Sequence, residues 1–121
     1  MITETEKGLA FRINHPTGFV EVTLDGFFPC AVRQGRKLFK MARRYCTEAE
    51  QRELHDELCA LRDRYPDKIR AAAAELGNPD IDPADFETMI TKLRLLRRDR
   101  AGLALNIRDA AGIMGVKECT I

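Results

Sequence analysis

Residues 33–46 read Arg33-Gln34-Gly35-Arg36-Lys37-Leu38-Phe39-Lys40-Met41-Ala42-Arg43-Arg44-Tyr45-Cys46, a segment with six basic side chains and no acidic one. At 100° per residue, an α-helix over this segment separates the apolar from the basic side chains. The apolar side is formed by Leu38, Met41, Ala42 and Tyr45. The opposite side carries a cationic stripe, which we define as Arg33, Lys37, Lys40 and Arg44, with Arg36 and Arg43 on its flank. The segment therefore predicts a helix that is buried on one side and strongly cationic on the other.

Upstream of this helix, residues 9–13 and 19–24 alternate apolar and polar side chains with period two. The residues between them, Asn-His-Pro-Thr-Gly over 14–18, have the composition of a turn. We therefore predict a β-hairpin over residues 9–24, with its apolar side packed on the helices. Residues 1–8 are mostly polar and are expected to be flexible.

Downstream, residues 33–100 are predicted to be a helical region. Thr47-Glu48-Ala49-Glu50 matches a capping box and starts a second helix over about 48–64. Because almost no linker separates the first two helices, they are expected to form an antiparallel helical hairpin. Pro66 is expected to end the second helix, and a short third helix follows over 67–76.

A fourth helix is predicted over about 83–100, because Asp82 is a good N-cap and Pro83 suits the first helical position. The C-terminal half of this helix is strongly basic. Cations suit the negative end of the helix dipole, but the number here exceeds what capping requires. We therefore predict a second basic patch on this helix, at Arg94, Arg97 and Arg98, with Lys92 and Arg100 beside it.

Residues 101–121 are open to two structural interpretations. Ile107 to Met114, Gly115 and the residues from Val116 to Ile121 resemble the first helix, turn glycine and start of the second helix of a helix-turn-helix DNA-binding motif. That resemblance implies a DNA-binding transcriptional regulator. The alternative is a β-hairpin that turns near residues 108–112 and extends the N-terminal sheet.

The composition is that of one globular domain spanning residues 1–121, with 45% hydrophobic and 32% charged residues. The predicted fold class is α+β: a mostly helical bundle with a small antiparallel β-sheet packed on one side. The sequence contains no run near the ~18 apolar residues that a membrane span needs, and its N-terminus has no apolar signal-like stretch. A cytoplasmic location without membrane attachment is therefore expected.

Residue types that carry catalytic or metal chemistry are sparse. Four scattered cysteines, Cys30, Cys46, Cys59 and Cys119, do not have zinc-site or disulfide-framework spacing, so reduced thiols are expected. His55 and Cys59, at positions i and i+4, would supply only half of a metal site. There is no Gly-rich phosphate loop, G-x-S-x-G elbow or H-E-x-x-H motif. We predict no catalytic residues, no metal and no cofactor.

Net charge is only +1, but the charges are unevenly distributed along the chain. This pattern favours a non-catalytic binding protein that acts as a monomer or homodimer and docks through its basic helix faces. The expected partner is a protein with an acidic or nucleic-acid-binding surface, and the expected role is that of a small inhibitor or accessory factor for a nucleic-acid-handling protein, such as mobile genetic elements encode. Direct binding of nucleic acid is the alternative. The predicted contact residues are Arg33, Arg36, Lys37, Lys40, Arg43, Arg44, Arg94, Arg97 and Arg98.

Overall fold

A computed structural model of the protein describes residues 2–5, 8–25 and 30–116. Within these ranges, three strands precede three helices. The strands β1 (Ile2–Thr5), β2 (Gly8–His15) and β3 (Gly18–Asp25) form an antiparallel sheet in the order β1-β2-β3. The helices are α1 (Cys30–Tyr45), α2 (Glu48–Leu76) and α3 (Pro83–Met114). This arrangement confirms the predicted α+β class.

The predicted β-hairpin is present as β2 and β3, joined at Pro16 and Thr17. Gly18 closes the turn at φ 128°, a backbone conformation that favours glycine. The register pairs Phe11 with Val22 and places both on the same side of the sheet. Phe11 is fully buried, so this side of the sheet faces the core. Residues 2–5, expected to be flexible, instead add β1 to the edge of β2.

Pro66 does not end the second helix, because α2 continues through it to Leu76. A proline inside a helix costs about 3 kcal/mol. The helix packs on α3, and Leu61 and Ala72, which lie on either side of Pro66 in sequence, are both buried. The free energy gained from this burial offsets the loss of the backbone hydrogen bond that the proline cannot form. The separate third helix predicted over 67–76 is therefore the second half of α2.

The helical hairpin is formed by α2 and α3, and α1 packs mainly on α3 and on the sheet. The expected pairing of α1 with α2 was wrong. Gly35 explains the actual pairing, because it brings the α1 backbone close to Asn106 of α3: a Cβ atom at residue 35 would lie 2.6 Å from Asn106 Oδ1. A short linker places two helices near each other in sequence, but this close approach selects α3 as the partner of α1.

Residues 101–114 continue α3, so the β-hairpin interpretation of this segment was wrong. Leu103, Ile107, Ala110 and Met114 are all buried, and they form one side of the helix against the core. Gly115 ends the helix in the left-handed conformation, at φ 70°.

The start of α2 provides a pH-dependent prediction. The backbone N–H of Thr47 donates to Glu50 Oε1 over 3.0 Å, and Thr47 Oγ1 accepts from the backbone N–H of Glu50. The hydrogen bond that the Glu50 carboxylate accepts from the Thr47 backbone N–H, followed by hydrogen bonding of that carboxylate to the Thr47 side chain, lowers the pKa of Glu50 below its ordinary value. A carboxyl whose pKa is lower in the folded than in the unfolded protein stabilises the fold at pH values above its unfolded-state pKa. This stabilisation is lost as the pH falls through its folded-state pKa. Glu50→Gln is therefore expected to remove this part of the acid dependence, measured by urea unfolding at several pH values, with Glu48→Gln as control. Equal acid dependence in wild type and Glu50→Gln would contradict it.

Candidate binding surface

The cationic stripe is exposed along the whole length of α1. Arg33, Lys37, Lys40 and Arg44 all lie on the solvent side, and Leu38, Phe39 and Ala42 are fully buried on the other. The Arg44 guanidinium carbon lies 5.3 Å from the centroid of the Tyr45 ring, which orients this side chain across the end of the helix. The helical phase deduced from sequence thus agrees with the observed burial of α1.

Arg36 and Arg43, predicted to flank the stripe, are directed toward α3. Arg36 Nε donates to Asp109 Oδ2 over 3.0 Å, and Arg43 donates to the main-chain carbonyl oxygen of Ile113 over 2.9 Å. The Arg36 side chain is 56% exposed, so its ion pair adds less than about 1 kcal/mol. Both arginines attach α1 to α3, and the four stripe residues present the outward charge.

The contacts between α1 and α3 show that the two helices run in the same direction: Gly35 lies by Asn106, Arg36 by Asp109 and Arg43 by Ile113. The N-terminal end of α1 is therefore level with about residue 103 of α3. Residues 92–100 of α3 lie beyond that end and continue the series of cations along α3.

Helical phase determines which α3 cations share the side of the stripe. Arg98 is eleven residues before Asp109, which is about three turns, so it faces the same side as the contact with Arg36. Arg94 and the exposed Arg108 lie within about 60° and 100° of that direction. Arg97 is rotated by about 120° from the direction of Asp109 and faces a different side of α3. By helical phase, Arg94 and Arg98 therefore lie nearer the side of α3 that meets Arg36 than Arg97 does. Arg108, which was not among the predicted contact residues, lies between Arg94 and Arg97 in phase.

Two acidic side chains near the start of α2, Glu50 and Glu53, lie beside β2. Glu50 accepts hydrogen bonds from Asn14 of β2 and from Thr47, and Glu53 lines a cleft between β2 and α2. In the basic half of α3, Asp99 is half-buried, and this burial raises the pKa of its carboxyl, although Arg98 and Lys68 oppose the shift. Glu50 and Glu53 therefore lie at the contact between α2 and β2.

Cys46 lies in the cleft between β2 and α2, which has a volume of about 240 Å³ and is also lined by Asn14, Glu50 and Leu54. Burial, followed by the negative charge of Glu50, raises the pKa of the Cys46 thiol. A thiol whose pKa is raised is a weak nucleophile at neutral pH, because the thiolate is the reactive form. The cleft therefore holds a protonated cysteine rather than an activated one.

Cys59 is disulfide-bonded, which corrects the expectation of reduced thiols for this residue. Its sulfur lies 4.0 Å from the ring nitrogens of His55, a residue that is 1% exposed. A disulfide sulfur cannot act as a thiolate ligand. In the part of the chain that the structure describes, no three His, Cys, Asp or Glu side chains gather as a metal site would require.

The segment that resembles a helix-turn-helix is described only as far as Val116. Its first helix is the end of α3, and Gly115 has the left-handed conformation that a turn glycine adopts. Residues 117–121, which would begin the second helix, lie outside the described ranges. Ile107, Ala110 and Met114 are buried against the core, so the described part of this segment stabilises the fold.

No protein-family model, curated protein or solved structure matches this chain. Within the described ranges, no helix is both long enough and apolar enough to cross a bilayer. Function is therefore inferred from the charge and geometry of the surface itself.

Proposed function

We propose that this chain is a non-catalytic, cytoplasmic binding protein that docks on an acidic surface of another protein through the cationic stripe of α1, extended by Arg94 and Arg98 of α3. The observation that carries the proposal is the exposure of four cations on one side of a helix that contains no acid. From the level of Arg94 to that of Ile113, the surface extends for about 29 Å along α3. That length suits a macromolecular partner better than a small anion.

The charge of the surface selects the kind of protein partner. A nucleic-acid-binding groove is itself cationic and would repel the stripe, whereas a patch of carboxylates on the same partner would attract it. Of the two partner surfaces expected from the sequence, the acidic one is therefore the surface that the stripe is proposed to contact, and a nucleic-acid-handling protein remains the proposed partner. In this role the chain acts as a small inhibitor or accessory factor, of the kind that a mobile genetic element encodes.

Duplex nucleic acid is the competing partner, because phosphates attract the same cations. The described part of the surface offers little to read or stack bases. Among the described residues of α1 that face the stripe side, the side chains are Lys and Arg, and the aromatic Phe39 is fully buried. Base stacking requires exposed aromatic faces. This composition favours a protein surface.

The test compares two variants with the same change in net charge. Lys37→Glu/Lys40→Glu/Arg44→Glu reverses the stripe, and Arg52→Glu/Arg64→Glu/Arg70→Glu reverses three exposed cations on α2. Both are expected to fold, because exposed substitutions change stability by about 0.5 kcal/mol each. Immobilised wild type and the α2 variant are expected to capture the same protein from nuclease-treated lysate, and the stripe variant is expected to lose at least about 90% of it, equivalent to 1.4 kcal/mol.

Three results would contradict the proposal. Equal capture by a folded stripe variant would make the stripe an ordinary solvated surface. Capture that disappears after nuclease treatment would identify nucleic acid as the partner. Direct binding of a generic DNA duplex, with an affinity that falls steeply with salt at a log–log slope near −0.9 per neutralised phosphate, would support the same conclusion.

A further inference from the structure

Residues 66–100 form a two-helix arm, made of the second half of α2, the connecting loop and the first half of α3. In this stretch, all of which the structure describes, Ala72 is the one buried residue. Ile69, Leu93 and Leu96 are only partly buried, and Phe86 is 40% exposed. Two helices side by side cover only the seam between them, so the apolar sides of the arm still face solvent.

One side of the arm contains a groove of about 640 Å³. Ala71 and Ala72 of α2 and Met89 and Leu96 of α3 form its apolar lining, with Lys68 and Glu75 at its two ends. The short alanines leave the space that defines the groove. Lys92 also lines the groove, on the α3 side. On the α2 side, where the alanines lie, a helix of another chain can approach closely because these side chains are short.

Charges are segregated along the length of the arm. The tip, which we define as residues 71–91, has five acids and no base. The base of the arm, which we define as residues 66–70 and 92–100, has seven Lys or Arg residues and two Asp residues. The net charges are therefore −5 at the tip and +5 at the base. Helix capping explains Asp82, which accepts from the backbone N–H of Ala84, and Asp85 in the first turn, but leaves the other tip acids without a structural role.

We propose that the arm is a homodimerisation surface, on which a second copy of this chain packs with its arm antiparallel to the first. In this arrangement the acidic tip of each copy lies over the basic base of the other, so both ends of the interface are attractive. Pairing the arms in parallel would place like charges together at both ends. A two-fold axis near Ala71 and Ala72 also sets Glu75 of each copy toward Lys68 of its partner, because these two residues flank the alanines symmetrically.

The size of the arm sets the expected strength of the dimer. A helical stretch of 17 residues is about 26 Å long and a helix pair is about 20 Å wide, so each copy buries roughly 500 Å². The total of about 1,000 Å² is at the low end for specific interfaces. The dimer is therefore expected to dissociate on dilution and to weaken as salt screens the two charged ends.

The dimer does not depend on the proposed partner function. Arg97 and Arg100 lie one turn after Leu93 and Leu96, beside the apolar residues of the arm, whereas Arg94 and Arg98 are nearer in helical phase to the side of α3 that meets Arg36. Arg97 thus belongs to the dimer contact, and the stripe on α1 remains accessible in both copies.

The test measures mass by sedimentation equilibrium with the full chain alone, so no partner is required. Wild type is expected to approach twice 13.7 kDa at about 0.1 mM. A tip variant, Glu75→Lys/Asp80→Lys/Glu87→Lys, and a base variant, Arg97→Glu/Arg100→Glu, are each expected to weaken self-association at least tenfold. An equimolar mixture of the two is expected to associate more strongly than either variant alone, because the unchanged acidic tip of the base variant then faces the unchanged basic base of the tip variant. Glu48→Lys/Glu53→Lys, on the first half of α2, is the matched control and is expected to dimerise like wild type.

Circular dichroism of each variant establishes that it is folded before its mass is interpreted. A wild-type chain that remains monomeric at about 1 mM overturns the proposal, since an interface of this size would be occupied there. The proposal is also overturned if neither charge-reversal variant weakens the dimer, or if mixing the two variants does not restore association. In either case the contact between the copies would lie elsewhere. None of these outcomes bears on the capture experiment with the stripe variants.

Discussion

Gly35→Leu is expected to lower the free energy of unfolding by about 2 kcal/mol or more, because α1 meets α3 there without room for a side chain. A Cβ atom on residue 35 would lie 2.6 Å from Asn106 Oδ1 and 3.4 Å from Phe39 Cε2. Asn106 is 2% exposed, so its side chain cannot give way toward solvent. Urea unfolding followed by far-ultraviolet circular dichroism measures the effect.

Gly112→Leu is the matched control for this prediction. Gly112 is also inside a helix, but it is exposed and no atom lies within 4 Å of the position its Cβ would occupy. Replacing a glycine inside a helix is then expected to stabilise the protein by about 0.5–1 kcal/mol. The two substitutions should therefore have opposite signs, and Gly35→Ala combined with Asn106→Ala should recover part of the loss that Gly35→Ala causes alone. Equal stability of wild type and Gly35→Leu would show that α1 does not pack on α3 as described.

The local structure of this chain could be predicted because it depends on neighbouring residues. Alternation over residues 9–13 and 19–24 gave the hairpin and the side of it that is buried, and the 3.6-residue period over 33–46 gave the buried side of α1. Thr47 and Asp82 marked the starts of α2 and α3, where their side chains accept from Glu50 and Ala84 backbone N–H groups.

The longer-range arrangement could not be predicted in the same way, because it depends on residues far apart in sequence. Pro66 is a helix breaker by local rules, but α2 packs along its length on α3 and continues through this residue. The partner of α1 depends on the fit between Gly35 and Asn106, which are 71 positions apart. Near residue 105 the alternation of apolar side chains favours a strand, but burial of Ile107 and Ala110 on one side of a helix stabilises the fold more.

The candidate surface likewise has features that depend on neighbouring residues, which the sequence predicts, and contacts between distant residues, which it does not. The stripe follows from the phase of one helix, so the sequence suffices to place Lys37, Lys40 and Arg44 together. The bonds of Arg36 to Asp109 and of Arg43 to the Ile113 carbonyl join residues 73 and 70 positions apart, and no local pattern predicts them. The division of the α3 arginines between the side of the stripe and the arm also required the direction in which α1 crosses α3.

Phe39→Ala is expected to lower the free energy of unfolding by about 3–5 kcal/mol, since it removes a large side chain from a closely packed site. Phe39 is 0% exposed and belongs to the core cluster that joins α1 to Ile107 and Ala110 of α3. A domain of this size has a total stability of about 5–15 kcal/mol, so this one substitution removes a large share of it. Phe86→Ala makes the same chemical change in the arm, where the side chain is 40% exposed, and in dilute protein it is expected to cost less than about 1 kcal/mol.

Phe39→Ala also separates two causes of lost binding. Because α1 is held on α3 from its buried side, a variant that weakens that packing displaces the stripe without changing any of its charges. Partner capture by Phe39→Ala should therefore fall in proportion to the unfolded fraction measured by urea titration, and recover at low temperature as that fraction falls. The stripe variant Lys37→Glu/Lys40→Glu/Arg44→Glu should lose capture while its unfolding midpoint stays near that of wild type. If Phe39→Ala unfolds at the same urea concentration as Phe86→Ala, residue 39 is not in the core, and the assignment of the stripe to the outer side of α1 is wrong.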